Sequence, residues 1–183
     1  MMVNKNIRAW LGQYRFMKEM KRINRKPEIV SFDDANKIGL LYDATEEHDS
    51  ETVKNYVKSL RANSKKDILA LGFVDKKVLH QSQYAQVGLD FFTQKDLNFQ
   101  MIPNDTVVKN FINNNFDILI NVDNGKCFPL RYISAMSKAR FRVGRYSNTN
   151  IVYFDMMVKL KGEIPIRTAI DEIEHFLRLI KRT

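Results

Sequence analysis

Phe116-Asp117-Ile118-Leu119-Ile120-Asn121-Val122-Asp123-Asn124-Gly125, with the helix and strand that follow it through Gly144, decides the fold. Phe116 to Val122 is the clearest strand in the chain, a nearly unbroken apolar run with Asp117 at its start and Asp123 at its exit. Asn124-Gly125 supplies a turn. Pro129 suits the first turn of a helix through Ala139, and Leu130, Ile133, Met136 and Ser137 are spaced to face a sheet. Arg140 to Val143 reads as the next strand, closed by Gly144. Two strands joined by a helix need a crossover connection, and crossovers make parallel pairs.

The same texture recurs on both sides of this unit. Ile38-Gly39-Leu40-Leu41-Tyr42 is a short apolar run followed by Asp43. Asp49 or Ser50 is the candidate N-cap of a helix to about Arg61, with Val53, Tyr56, Val57 and Leu60 on one face. Ile68 to Val74 is a second run, again followed by an aspartate, Asp75. Val78 to Gln86 fits an irregular helix or a loop, Leu89 to Thr93 a strand, and Phe99 to Ile102 a short strand or extended segment. Pro103-Asn104-Asp105 opens a helix carrying Val107, Val108, Phe111 and Ile112. Ile151 to Val158 is a further apolar run, and Ile164 to Arg182 an amphipathic helix. Continuous runs, rather than alternating ones, indicate strands covered on both faces. The expected fold class is α/β: a three-layer, Rossmann-like domain over residues 31–183 with a mostly parallel sheet of unread strand order.

Charge is concentrated before that domain. Residues 1–30 carry eight basic side chains against two acidic ones, +6 of a whole-chain +9. The segment reads as a basic helical arm from about Asn4 to Ile23, ended before Pro27. Ile7, Trp10, Leu11, Tyr14 and Met17 form one apolar stripe at helical spacing, expected to anchor the helix on protein. Arg8, Arg15, Lys18, Lys21, Arg22, Arg25 and Lys26 are the cations expected to meet a polyanion. A second basic cluster, Arg140, Arg142 and Arg145 with Arg131 and Lys138, is interleaved with Phe141 and Tyr146. It suits a phosphate backbone and stacked bases, or equally a cationic edge strand that discourages aggregation.

Several classes of function are disfavoured. There is no Gly-x-Gly-x-x-Gly after the first strand and no Gly-Lys-Ser/Thr loop, so no nucleotide cofactor is expected. His48, His80 and His175 lie far apart without ligand-like spacing, and no metal site is expected. The acidic stretch Glu46-Glu47-His48-Asp49 reads as a solvated loop at a helix start. Cys127, the one cysteine, has no histidine base beside it and reads as a small buried residue; alone it forms no intrachain disulfide and fits a reducing compartment. No serine sits in a nucleophile elbow. No apolar run is long enough to span a membrane, and the cytoplasm is the expected location. One ligand pocket remains possible at the carboxyl ends of the strands, built from Asp43, Thr45, Asn121 and Asp123. Its chemistry fits a sugar or a phosphorylated metabolite; the same aspartates equally serve as helix caps or Asx turns.

Phe91-Phe92-Thr93-Gln94-Lys95-Asp96-Leu97-Asn98-Phe99, Asp117 to Asn121, Ser134 to Arg145 and Tyr153-Phe154-Asp155-Met156-Met157 together resemble an uncharacterised bacterial family known only as a domain of unknown function. The resemblance covers nearly the whole chain and implies a soluble intracellular α/β protein with no assigned chemistry. Phe116 to Asn121 with the later Ala139-Arg140-Phe141-Arg142-Val143-Gly144 is also similar to the N-terminal half of heptosyltransferase-type glycosyltransferases. That likeness implies a lone half-fold without catalysis, and a generic strand–helix–strand unit gives the same pattern. The function expected from the residues is a non-catalytic module that binds RNA or the ribosome through its basic helix. The alternatives are an enzyme, or a degenerate glycosyltransferase-like protein, acting at the strand-end pocket, and an adaptor for an anionic membrane or a protein partner.

Overall fold

Strands joined through helices pair in parallel throughout. The computed structural model describes residues 5–148 and 152–180. Its sheet comprises β1 (Lys37–Asp43), β2 (Asp67–Val74), β3 (Leu89–Thr93), β4 (Ile118–Asn121), β5 (Phe141–Arg145) and β6 (Met156–Val158). Their order is β3-β2-β1-β4-β5-β6, and every neighbouring pair is parallel. The chain winds outward from β1 in one direction to β3, then crosses to β4 and winds in the other. That reversal makes the β1/β4 junction the topological switch point, where open α/β sheets leave a crevice.

Helices cover both faces. Around the sheet lie α1 (Lys5–Met20), α2 (Glu47–Asn63), α3 (Thr106–Ile112), α4 (Phe128–Met136) and α5 (Ile166–Leu179). One face packs Ile38, Leu40, Ile118 and Ile120 under Val53, Val57, Ile170 and Ile173 from α2 and α5. The other packs Leu41, Leu71 and Leu119 under Val108, Phe111, Leu130 and Ile133 from α3 and α4. Successive strand residues point to opposite faces, so unbroken apolar runs feed both cores. The result is the expected three-layer, Rossmann-like α/β arrangement. Asp105 caps α3 by accepting the Val107 N–H at 2.7 Å, as a helix opening at this point requires.

Three local expectations fail. Helix α2 starts at Glu47 with Glu46 at its N-cap, so Asp49 and Ser50 lie inside the helix rather than capping it. Phe99 to Ile102 is not a strand: Asn98 Oδ1 accepts the N–H groups of Gln100 (2.8 Å) and Ile102 (3.1 Å), which closes a tight loop. Met101 is held in the left-handed region at φ 60°. The apolar run before Val158 contributes only a three-residue strand, because Tyr153 and Phe154 turn to pack with Phe16 and Ala135. Ile151 and Arg182, expected in this strand and in the last helix, lie outside the described residues, as do Met1 to Asn4.

The basic segment is not a free arm. Helix α1 ends at Met20, with turn hydrogen bonds continuing to Ile23. It packs on α4 by a face opposite to the expected stripe. Ile7, Trp10, Tyr14 and Met17 stay 51%, 65%, 64% and 39% exposed, Leu11 is half-buried, and Gly12 and Phe16 are the buried positions. The Phe16 ring sits in a box of Phe128, Tyr132 and Tyr153, with centroids 5.9, 5.7 and 5.1 Å away. Glu19 adds a bond, accepting the Tyr132 hydroxyl at 2.6 Å. A count of apolar residues chose the wrong face because close backbone approach, which needs Gly12, outweighs hydrophobicity at this contact. Further along, the Glu28 N–H donates to the Arg140 carbonyl and the Phe32 N–H to the Leu177 carbonyl, tying residues 21–36 to the body.

Candidate functional site

The nominated cations divide into exposed and structural sets. Lys18, Lys21, Arg22 and Lys26 are exposed. Arg15, also exposed, donates to Glu19 (2.8 Å) and to the Gln100 side chain (3.0 Å). Arg8 is half-buried, donating its Nε proton to the Phe99 carbonyl at 2.9 Å with its guanidinium 5.3 Å above the Phe99 ring.

Arg25, Arg140 and Arg142 are engaged within the fold. Arg25 donates to the carbonyls of Ala139 (3.1 Å) and Arg140 (2.7 Å) and forks onto both oxygens of Asp155. Arg140 bridges Glu28 (2.7 Å) and Asp117 (2.8 Å). Asp117 also accepts the N–H groups of Asn36 and Lys37. Burial pushes the Asp117 carboxyl up, but these donors outweigh it and hold it below the usual carboxylate range. Arg142 is only 5% exposed and donates to the Ser137 carbonyl; burial, with Arg25 nearby, lowers its guanidinium to about 10. Nor is β5 an edge strand, since β6 covers it. Arg145 stands apart from this basic group, at the crevice described below, and donates to the Gly162 carbonyl at 3.3 Å.

What remains on the outward side of α1 is a ridge. Trp10 and Tyr14 stack on one another, with ring centroids 6.1 Å apart and planes 19° from parallel. Ile7 and Met17 flank the pair, and Lys18, with Lys21 and Arg22 in the turn after the helix, continues the exposed surface. Together they form a row of exposed apolar groups rimmed by charge.

The strand-end residues do come together, at the switch point. A crevice of about 450 Å³ is lined by Asp43, Thr45, Asp123, Asn124, Arg145 and Ile164, among others. Asp43 accepts the Thr45 N–H at 2.9 Å, and Thr45 Oγ1 accepts the Asp75 N–H at 2.9 Å, joining the exits of β1 and β2. Asp123 accepts the N–H groups of Gly125 (2.7 Å) and Cys127 (3.2 Å), with Gly125 at φ 84°. Asn121 is buried and turned away from the crevice: it accepts the Asp123 N–H and donates to Ser134 Oγ, so it shapes the turn. The stretch read as a solvated loop instead contributes Glu46 and Asp49 to the crevice wall, and Glu163 arrives from the segment before α5. Sequence spacing gave no sign of Glu163, which the fold alone brings in. Burial lifts the Asp49 carboxyl, and Asp43 and Glu46 add repulsion. Burial likewise pushes the Cys127 thiol well up, with Asp123 adding to the effect. Among the described residues no three His, Cys, Asp or Glu side chains are arranged to hold a metal ion.

Asp123 sets a pH expectation. Burial raises its carboxyl, partly offset by the N–H groups of Cys127 and Gly125, and Asp43 adds repulsion. A carboxyl whose folded pKa lies above its unfolded value costs stability as pH rises through the folded pKa. Asn at this position keeps an oxygen for both N–H groups and removes the charge. Asp123→Asn is therefore expected to have a higher urea midpoint than wild type at about pH 7, with the gap closing near about pH 4. A variant less stable than wild type at neutral pH would show that the charge is a net stabiliser.

Sheet order, switch-point crevice and surface ridge define an open, doubly wound α/β protein with a docked amphipathic helix. The chain belongs to a family of unknown function, DUF6913, whose model matches residues 8–180 and so takes in α1 together with the sheet. That match agrees with the likeness to a domain of unknown function and does not extend to the heptosyltransferase-type half. No curated protein matches the chain. No helix among the described residues is long and apolar enough to cross a membrane.

Proposed function

We propose that the protein is a non-catalytic, cytoplasmic module that binds RNA, on the ribosome or a ribosomal precursor, through the outward face of α1. The stacked Trp10–Tyr14 pair carries this reading: two large aromatic faces stay about two-thirds exposed on a helix whose other side is firmly packed. Bases stack on such faces without sequence preference, while lysine and arginine beside them take the phosphates. Packing α1 against α4 holds the aromatic pair and the cations in one fixed arrangement, which lowers the entropy lost on binding.

Trp10 is the chain's single tryptophan, so its fluorescence reports on the proposed surface alone. Addition of oligouridylate at low salt is expected to quench it. If Lys18, Lys21, Arg22 and Lys26 each meet one phosphate, log K should fall against log salt with a slope of about −3. Trp10→Ala/Tyr14→Ala should weaken binding by about tenfold or more, since each stacked base contributes about 1–3 kcal/mol. A blue shift with anionic vesicles and no response to RNA would assign the ridge to a membrane, and silence toward both would remove the polyanion reading altogether.

The crevice favours a second reading, a small-ligand site. Its walls hold Asp43, Glu46, Asp49, Asp75, Asp123 and Glu163 against Lys126 and Arg145. Such a balance suits a polyhydroxy or amine-bearing ligand and repels a phosphorylated one. Glucosamine is expected to raise the melting temperature more than glucosamine 6-phosphate, and Asp43→Asn to abolish the rise. The reverse preference would sink this reading.

A further inference from the structure

A second cavity, of about 440 Å³, opens beyond the carboxyl ends of β2 and β3. Its lining includes Arg8, Asp75, Lys77, Gln94, Lys95 and Met101. Its charge is opposite to that of the crevice, with three cations facing one carboxylate. Asp75 is already engaged, since its Oδ1 accepts the Gln94 amide at 2.7 Å. Lys77 and Lys95 are exposed, and neither ammonium has a hydrogen-bond or ion-pair partner among the described residues.

Arg8 is the decisive group. Its Nε is committed to the Phe99 carbonyl and its plane lies over the Phe99 ring, so the guanidinium cannot swing freely. The two terminal nitrogens have no partner among the described residues, and Arg8 lines the cavity. A fork fixed from behind, beside two exposed ammonium groups, matches the paired oxygens and multiple negative charge of a phosphate. The platform under Arg8 is the Asn98-closed loop, which also sets Met101 in the cavity wall.

We propose that this cavity is a phosphate-binding site, in which Arg8 holds two phosphate oxygens and Lys77 and Lys95 neutralise the remaining charge. The proposal does not depend on RNA binding by the ridge. The phosphate belongs either to the end of a nucleic acid strand or to a free phosphorylated small molecule, and both present the same group to the same three cations.

The test uses the full chain with isotope-labelled amides. Inorganic phosphate, against sodium chloride at matched ionic strength, is expected to shift the amides of Lys77, Lys95 and Met101 in a saturable manner. Lys77→Glu/Lys95→Glu should weaken the response by about tenfold or more, because two attractive charges become repulsive. Trp10→Ala/Tyr14→Ala should leave it unchanged. Arg8→Lys tests the fork: with the charge kept, affinity should still drop, and the exposed lysine pair covers the case in which altering Arg8 loosens α1. An oligouridylate with a 5′-phosphate binding more tightly than its 5′-hydroxyl counterpart, with the difference lost in the lysine variant, would identify a strand end. Equal binding of the two oligonucleotides, with the phosphate response retained, would identify a free phosphorylated ligand. Absence of saturable shifts, or shifts that survive the lysine substitutions, would overturn the site.

Discussion

Replacing Gly12 with alanine is expected to detach α1 from the body of the protein. A Cβ at this position would stand 2.1 Å from the Gln100 carbonyl oxygen and 3.4 Å from the Phe128 ring. The first contact is with backbone, in a loop closed by Asn98, so the obstacle cannot rotate away. Alanine also favours the helical state over glycine by about 1 kcal/mol, so the isolated helix becomes stronger while its docking fails. Two opposite effects from one methyl group make the outcome diagnostic. Hydrogen exchange should lose protection across residues 5–20, and keep it in β1 and β4. Loss of Phe16 burial alone would remove about 3 kcal/mol of docking energy. Unchanged protection across α1 would mean that the helix is held by contacts other than the Gly12–Phe16 face.

Arg25→Ala is expected to lower global stability by about 3 kcal/mol, measured as a fall in the urea midpoint at unchanged m-value. The Arg25 and Asp155 side chains are 16% and 13% exposed with the pair formed, so each shields the other and removing Arg25 leaves a carboxylate without its fork. The carbonyls of Ala139 and Arg140, and the strand start that Asp155 supports through the Arg142 N–H at 2.8 Å, lose their shared partner together. Arg25→Lys should recover less than half of the loss, since one ammonium cannot serve two carbonyls and a carboxylate fork at once. A surface arginine reserved for a polyanion would give almost no change in either variant.

The three-layer plan was legible because β1, β2 and β4 are continuous apolar runs separated by helical patterns, and those signals are local. Strand order was not, because nothing in Ile38 to Tyr42 says that β4 pairs beside it rather than β3. The basic segment misled for a related reason. Helical spacing located Trp10 and Tyr14 on one face, but the surface that receives the helix is assembled from Phe128, Tyr132 and Tyr153, distant in sequence. Only the folded chain shows that the opposite face fits it. The structural partners of Arg25 and Arg142, Asp155 and the Ser137 carbonyl, were hidden for the same reason: they come within reach only once β5 and β6 are paired. At the strand ends, Asp43 and Asp123 were found by applying one rule to two exits. Lys77 and Lys95 follow the exits of β2 and β3, and the same rule extended to those strands would have drawn attention to them.

Phe16 has one more consequence. Its ring closes a box of three other aromatic side chains, so α1 acts as a stopper. A truncated chain lacking the helix would bare Phe128, Tyr132 and Tyr153 to water and become sticky in its own right. Any loss or gain of binding in such a truncation would report on that uncorked cavity as much as on the missing cations. The proposed binding is better tested with point changes on the outer ridge, where the stopper stays in place.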